Sequence, residues 1–153
     1  MIKTIFLTLF LITAVLSAKE HRNLPYDVSA SLLQSIDNDA IILGTGNKVV
    51  YVFIDPLCPH SRKFVSMVSK TPRMLSKYQY RFLLYSIPRL KSTDVVSAIY
   101  SAENSIEILL RIMIDKKISS SYGNEKTRAM VDRISKVAET LNVYKRPYIF
   151  IIK

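Results

Sequence analysis

Lys48-Val49-Val50-Tyr51-Val52-Phe53-Ile54 is apolar at every position after the first, with no polar residue interleaved. A short continuous run of this kind, rich in β-branched and aromatic residues, reads as a buried strand. Asp55-Pro56-Leu57 reads as a turn. Cys58-Pro59-His60-Ser61 then opens a helix, with proline just inside the first turn, where its missing N–H does no harm. The chain is thereby committed to a fold with a strand-to-helix junction at residue 58.

Cys58 is the only cysteine. A structural thiol usually hides in a periodic apolar segment, whereas this one stands where a strand ends and a helix begins, and is expected to be exposed. At a helix start the unpaired N–H groups and the macrodipole favour an anion, the form in which a thiol reacts. One cysteine cannot form an internal disulfide. It stays free, pairs with another molecule, or is reduced by one.

The rest of the chain alternates in the same manner. Val28–Ile36 fits a short helix with Leu32, Leu33 and Ile36 on one face. Ala40–Leu43 is a short apolar run ended by Gly44-Thr45-Gly46-Asn47, a turn ahead of the strand at 49–54. The helix after Cys58 carries Phe64, Val65 and Val68 on one side, and Pro72 opens a further turn. Tyr80–Ile87 reads as a second strand stopped by Pro88. Thr93 and Asp94 start a helix over Val95–Ala102, and Asn104 another over Ile106–Ile114. After a loop at Ser119–Asn124, Glu125–Leu141 is an amphipathic helix with Met130, Ile134, Val137, Ala138 and Leu141 on one stripe. Tyr148–Ile152, entered through Pro147, is a last strand. The order strand, helix, strand, helices, strand indicates an α/β domain.

The first segment stands apart. Lys3 supplies a positive start, Ile5–Leu16 an apolar run broken only by Thr8 and Thr13, and Leu16-Ser17-Ala18 a cleavage site. The expectation is a signal peptide over 1–18, an N-terminal extension over 19–37 and one folded domain over 38–153. The apolar run is shorter than the ~20 residues of a membrane span. Export to the periplasm or outside the cell follows.

The net charge is +10. Its basic residues are spread along the chain without a nucleic-acid motif, so no nucleic-acid partner is expected. A solvated basic surface is the main reading, and acidic partners or anionic headgroups the other. With His21 and His60 as the only histidines, one cysteine and no clustered carboxylates, neither a metal nor a cofactor is expected. Gly44-Thr45-Gly46 lacks the lysine and hydroxyl ending of a phosphate loop.

Strand, C-P-x-x at a helix start, second strand, inserted helices and a proline-led strand together resemble the thioredoxin fold. More narrowly, the chain is similar to the catalytic domain of periplasmic disulfide isomerases of the DsbC/DsbG type. Three stretches between roughly 38 and 152 carry the likeness: Val52 to Ser61; Tyr85-Ser86-Ile87-Pro88-Arg89 with Ala98 to Glu103; and Leu141 to Ile149. The resemblance implies a mixed central sheet with a helical insertion, and a cis-proline at Pro147 beside the thiol.

The departures are specific. The family's second active-site cysteine is Ser61 here, a cysteine of the inserted helix falls at Ser101, and the small or polar residue before the cis-proline is Arg146. The resemblance leads to the expectation that the family's final strand and packing helix, and its N-terminal dimerisation domain, are missing here. Tyr148–Ile152 is therefore expected to form an apolar sheet edge, covered by Ala40–Leu43 or by a partner, unless the product is truncated.

What the resemblance implies for the site is equally concrete. Cys58 is the nucleophile, His60 supports its thiolate, and Ser61 replaces the resolving thiol. Pro59, Arg146 and Pro147 border the substrate. Arg146 is open to three roles: pairing with a substrate carboxylate, holding the thiolate, or plain solvation. Asp55 is read as a turn residue ahead of a field-tuning one. The expected function is an exported monothiol oxidoreductase or isomerase-like protein. Its partners are protein thiols or disulfides, together with a reducing partner. The alternative is a non-catalytic thioredoxin-like binding or chaperone-like module, using the groove near Cys58 or its strand edge to hold a partner chain or a second copy.

Overall fold

The computed structural model describes residues 24–152. The expected signal peptide lies outside them. The buried run forms strand β2 (Lys48–Ile54), which sits between β3 (Tyr78–Leu84), parallel to it, and β4 (Tyr148–Ile151), antiparallel. β1 (Ile41–Leu43) pairs antiparallel with the far side of β3, giving the order β1-β3-β2-β4. A strand with neighbours on both sides and both faces covered has no solvated side, so Tyr51 to Ile54 are all buried.

Alternation along β2 feeds two cores. Val50, Val52 and Ile54, with Tyr80, Phe82 and Leu84 of β3, face helices α2 (Pro59–Ser69), α4 (Thr93–Ser101) and α5 (Ser105–Met113). Tyr51 and Phe53, with Leu83, face α1 (Tyr26–Ser35) and α6 (Glu125–Thr140) through Leu33, Ile134 and Ala138. A short α3 (Pro72–Lys77) leads into β3. The result is a mixed four-stranded sheet with helices on both faces, as the element order implies.

Local signals explain the boundaries. Asn124 accepts from the Thr127 N–H at 2.9 Å while Thr127 Oγ1 accepts from the Asn124 N–H at 2.8 Å, a reciprocal cap that starts α6. In the turn after β1, Gly46 donates to the Tyr78 carbonyl, and a Cβ at Gly46 would lie 2.0 Å from the Lys77 carbonyl carbon. Only glycine fits a backbone approach that close.

Two expectations are corrected. The second strand begins at Tyr78 and ends at Leu84 rather than running from Tyr80 to Ile87: Tyr85 N–H still donates to the Ile54 carbonyl at 2.9 Å, but the Tyr85 and Ser86 carbonyls and the Ile87 N–H bond to the site described below. Ala40–Leu43 does not cover the last strand. β1 is bonded to β3 at the opposite edge, and among the described residues no strand pairs with the outer edge of β4.

Candidate active site around Cys58

β2 ends at Ile54, and its last backbone bonds aim residues 55–58 at the C-terminal edge of the sheet. Cys58 N–H donates to the Asp55 carbonyl at 3.0 Å, closing the turn, and the Cys58 carbonyl accepts from Arg62 N–H at 3.0 Å, opening α2. Cys58 thus occupies the N-cap position, with Pro59 first in the helix. Its sulfur makes no capping bond to the helix. Instead the thiol donates across the site to the Arg146 carbonyl at 3.7 Å. The Arg146–Pro147 bond is cis.

Cys58 is 4 % exposed, which corrects the expectation of an exposed thiol. The segment leading into β4 lies against the sulfur, so a residue at the rim of the sheet is nonetheless covered. The structure brings Cys58, Arg146 and Pro147 together, as the resemblance implies. His60 and Pro59 lie exposed on the first turn of α2. Ser61 is fully buried, and its hydroxyl accepts from the Asp55 N–H at 3.3 Å.

Arg146 is half-buried and not free. Its guanidinium stacks 3.9 Å from the Tyr85 ring centroid and donates to the Tyr85 carbonyl at 3.0 Å, the Ser86 carbonyl at 3.1 Å and the Val143 carbonyl at 3.5 Å. Burial pulls its pKa down from the ordinary arginine value, opposed by these contacts and by the nearby Asp55 and Cys58. The side chain thereby ties the cis-proline segment to the chain that leaves β3.

The residue underrated in the sequence is Asp55. It is fully buried and accepts three hydrogen bonds: Leu57 N–H at 2.8 Å, Ile87 N–H at 2.5 Å and the Ser92 hydroxyl at 2.7 Å. The first makes it a turn residue, as read. The other two make it a brace between the thiol turn, the segment after β3 and the start of α4. The available signal was a lone carboxylate at the end of an apolar strand, a place where an unpaired charge is too costly to persist. Among the described residues no group of three metal-ligating side chains gathers here or elsewhere.

No family model matches the chain, and no curated protein matches it. Solved structures do. Helicobacter pylori DsbG is 20% identical with a TM-score of 0.62, the match covering 82% of this chain and 61% of that one. A periplasmic thioredoxin-like protein from Salmonella enterica serovar Typhimurium is 12% identical with a TM-score of 0.59, over 85% of this chain and 86% of the other. The thiol-disulfide exchange protein alpha-DsbA2 from Wolbachia pipientis is 14% identical with a TM-score of 0.61, over 82% and 86%. The fold is therefore thioredoxin-like, and the chain is similar in structure to thiol-disulfide exchange proteins. The chain spans less than two thirds of the DsbG chain, and at these identities the likeness defines the fold alone.

Proposed function

We propose that this protein is an exported thiol–disulfide oxidoreductase working through one thiol. The Cys58 thiolate attacks one sulfur of a substrate disulfide, a new Cys58–substrate disulfide forms, and the other substrate sulfur leaves as thiolate. Ser61 cannot release that adduct, because a hydroxyl does not displace sulfur at useful rates. A thiol of the same substrate releases it, which isomerises the substrate with no net oxidation, or a reducing thiol from outside does so. His60 and Pro59 shape the approach to the sulfur, and Arg146 and Pro147 form the far wall of the site.

The observation that carries this reading is the placement of the sulfur: at the N-cap of α2, 3.7 Å from the carbonyl that precedes a cis-proline. Similarity to structures described as periplasmic and as thiol-disulfide exchange proteins supports both compartment and chemistry. Incubation with glutathione disulfide, followed by intact-mass measurement, is expected to add one glutathione to the wild type and none to Cys58→Ala. The adducted protein should then reactivate scrambled ribonuclease when glutathione is supplied. Absence of the adduct would transfer the assignment to a non-catalytic binding module, the reading favoured by the near-complete burial of the sulfur.

A further inference from the structure

The charge around the thiol is one-sided. Among the described residues, no carboxylate occurs between Asp55 and Asp94 or from Thr140 to Ile152. Those stretches contain the three segments that meet at Cys58: the thiol turn with the start of α2, the chain leaving β3, and the chain entering β4. Every described carboxylate other than Asp55 lies in residues 27–39 or 94–139.

Cations stand in all three segments. Arg62 donates from Nε to the Pro56 carbonyl at 2.7 Å, which fixes its guanidinium on the thiol turn, and its Nη2 is buried without a hydrogen-bond partner. Lys63 follows it on α2 and is exposed. Arg89 and Lys91 are exposed in the segment whose Ile87 N–H and Ser92 hydroxyl bond to Asp55. Lys145 is exposed beside Arg146, whose carbonyl accepts from the thiol. Ion pairs among the described residues form elsewhere, at Asp37, Asp39 and Glu107. Asp55 is fully buried and occupied by its three donors, so the charge that faces solvent at the site is cationic.

We infer that the thiol site takes disulfides borne by acidic polypeptide segments, with carboxylates on either side of the substrate sulfur meeting Lys63, Arg89 and Lys145. The inference rests on the thiol reading above and adds the substrate class. A positive rim raises the local concentration of negatively charged substrate and speeds encounter. A disulfide flanked by lysines would set like charges face to face. Because the rim cations are exposed, salt should erase the preference: the screening length falls from about 10 Å at 0.1 M to about 3 Å at 1 M.

The test uses two short peptides, one with its cysteine flanked by glutamates and one by lysines, each capped as the thiopyridyl disulfide and reacted with the full chain. The Cys58 sulfur, its proton lost to solvent, attacks the peptide sulfur. The Cys58–peptide disulfide forms, and the thiopyridyl group leaves with the electron pair and is read by absorbance as pyridinethione. Each rate is divided by the same peptide's rate with mercaptoethanol, and Cys58→Ala gives the blank. At low salt the glutamate peptide is expected to react about tenfold faster than the lysine peptide, and in about 1 M salt the two should converge. Lys63→Glu and Arg89→Glu, both at exposed positions, should each cut the preference several-fold. Lys136→Glu, exposed on α6 across the sheet, makes the same change in net charge and should leave the preference intact. Equal rates for the two peptides, or an equal loss in Lys136→Glu, overturn this inference while leaving the thiol chemistry standing. No release from either peptide overturns both.

Discussion

At the scale of single residues, the site depends on a carboxylate that never needs to touch substrate. Asp55 joins three backbone segments, and its removal strands the buried Ser92 hydroxyl and the part-buried Leu57 and Ile87 N–H groups. Each such orphan costs on the order of 1–3 kcal/mol. Asp55→Ala is therefore expected to lower unfolding free energy by about 3 kcal/mol or more, read from the urea midpoint. The same variant should expose Cys58 to alkylation, since the thiol turn loses its brace. Ser61 gives a second residue-scale prediction. Ser61→Cys supplies a thiol one helical turn from Cys58, so the glutathione adduct should decay without added reductant, whereas in the wild type it persists. Intact-mass time courses distinguish the two. Cys58 and Ser61 were legible as a pair in the sequence because their spacing is local. Asp55's partners are 32 and 37 residues away, beyond any local pattern.

At the scale of elements, the informative failure is the end of β3. Tyr80 to Ile87 is apolar enough to be one strand, yet the strand ends at Leu84, with one last bond to β2 from Tyr85 N–H. Strand propensity lost to specific partners: Arg146 takes the carbonyls of Tyr85 and Ser86, and Asp55 takes the Ile87 N–H. Tyr100 of α4 secures the last paired residue, its hydroxyl accepting from Leu84 N–H at 3.0 Å. Arg146→Ala should loosen this junction. The expected result is several-fold faster alkylation of Cys58 at constant pH, with a stability loss of about 2 kcal/mol. Arg146→Lys should restore little, because an ammonium cannot serve three carbonyls and a ring face together. If alkylation rates are unchanged in both variants, Arg146 is not what covers the sulfur.

At the scale of the whole molecule, the face opposite α2 is held by part-buried polar links as well as by its core. Tyr51 donates to Asp37, Arg81 pairs with Asp37 at 2.6 Å, and Arg133 makes a two-pronged contact with Asp39, so the turn before β1 is tied to β2, β3 and α6. Burial, and then the hydrogen bond to Asp37, raise the Tyr51 pKa above its ordinary 10.0; burial also raises those of Tyr80 and Tyr100. The folded chain thus holds these protons more tightly than the unfolded one. The stability they contribute is complete below the ordinary value of 10.0 and is lost as the pH climbs above it. Urea midpoints from about pH 9 to about pH 11.5 should fall steeply in the wild type and less steeply in Tyr51→Phe. Parallel curves would remove Tyr51 from the account.

The sequence by itself determined what is local. The apolar run of β2, the proline at the start of α2 and the stripe of Ile134, Val137 and Ala138 each act through neighbours a few residues away, and each produced the element it implied. Tertiary structure decided what depends on distant partners: where β3 stops, which edge β1 joins, how far Cys58 is buried, and what Asp55 and Arg146 hold. The reason is physical. Backbone propensity and apolar period are properties of a short window, whereas a buried hydrogen-bonding group takes whichever partner the folded sheet brings within 3 Å of it.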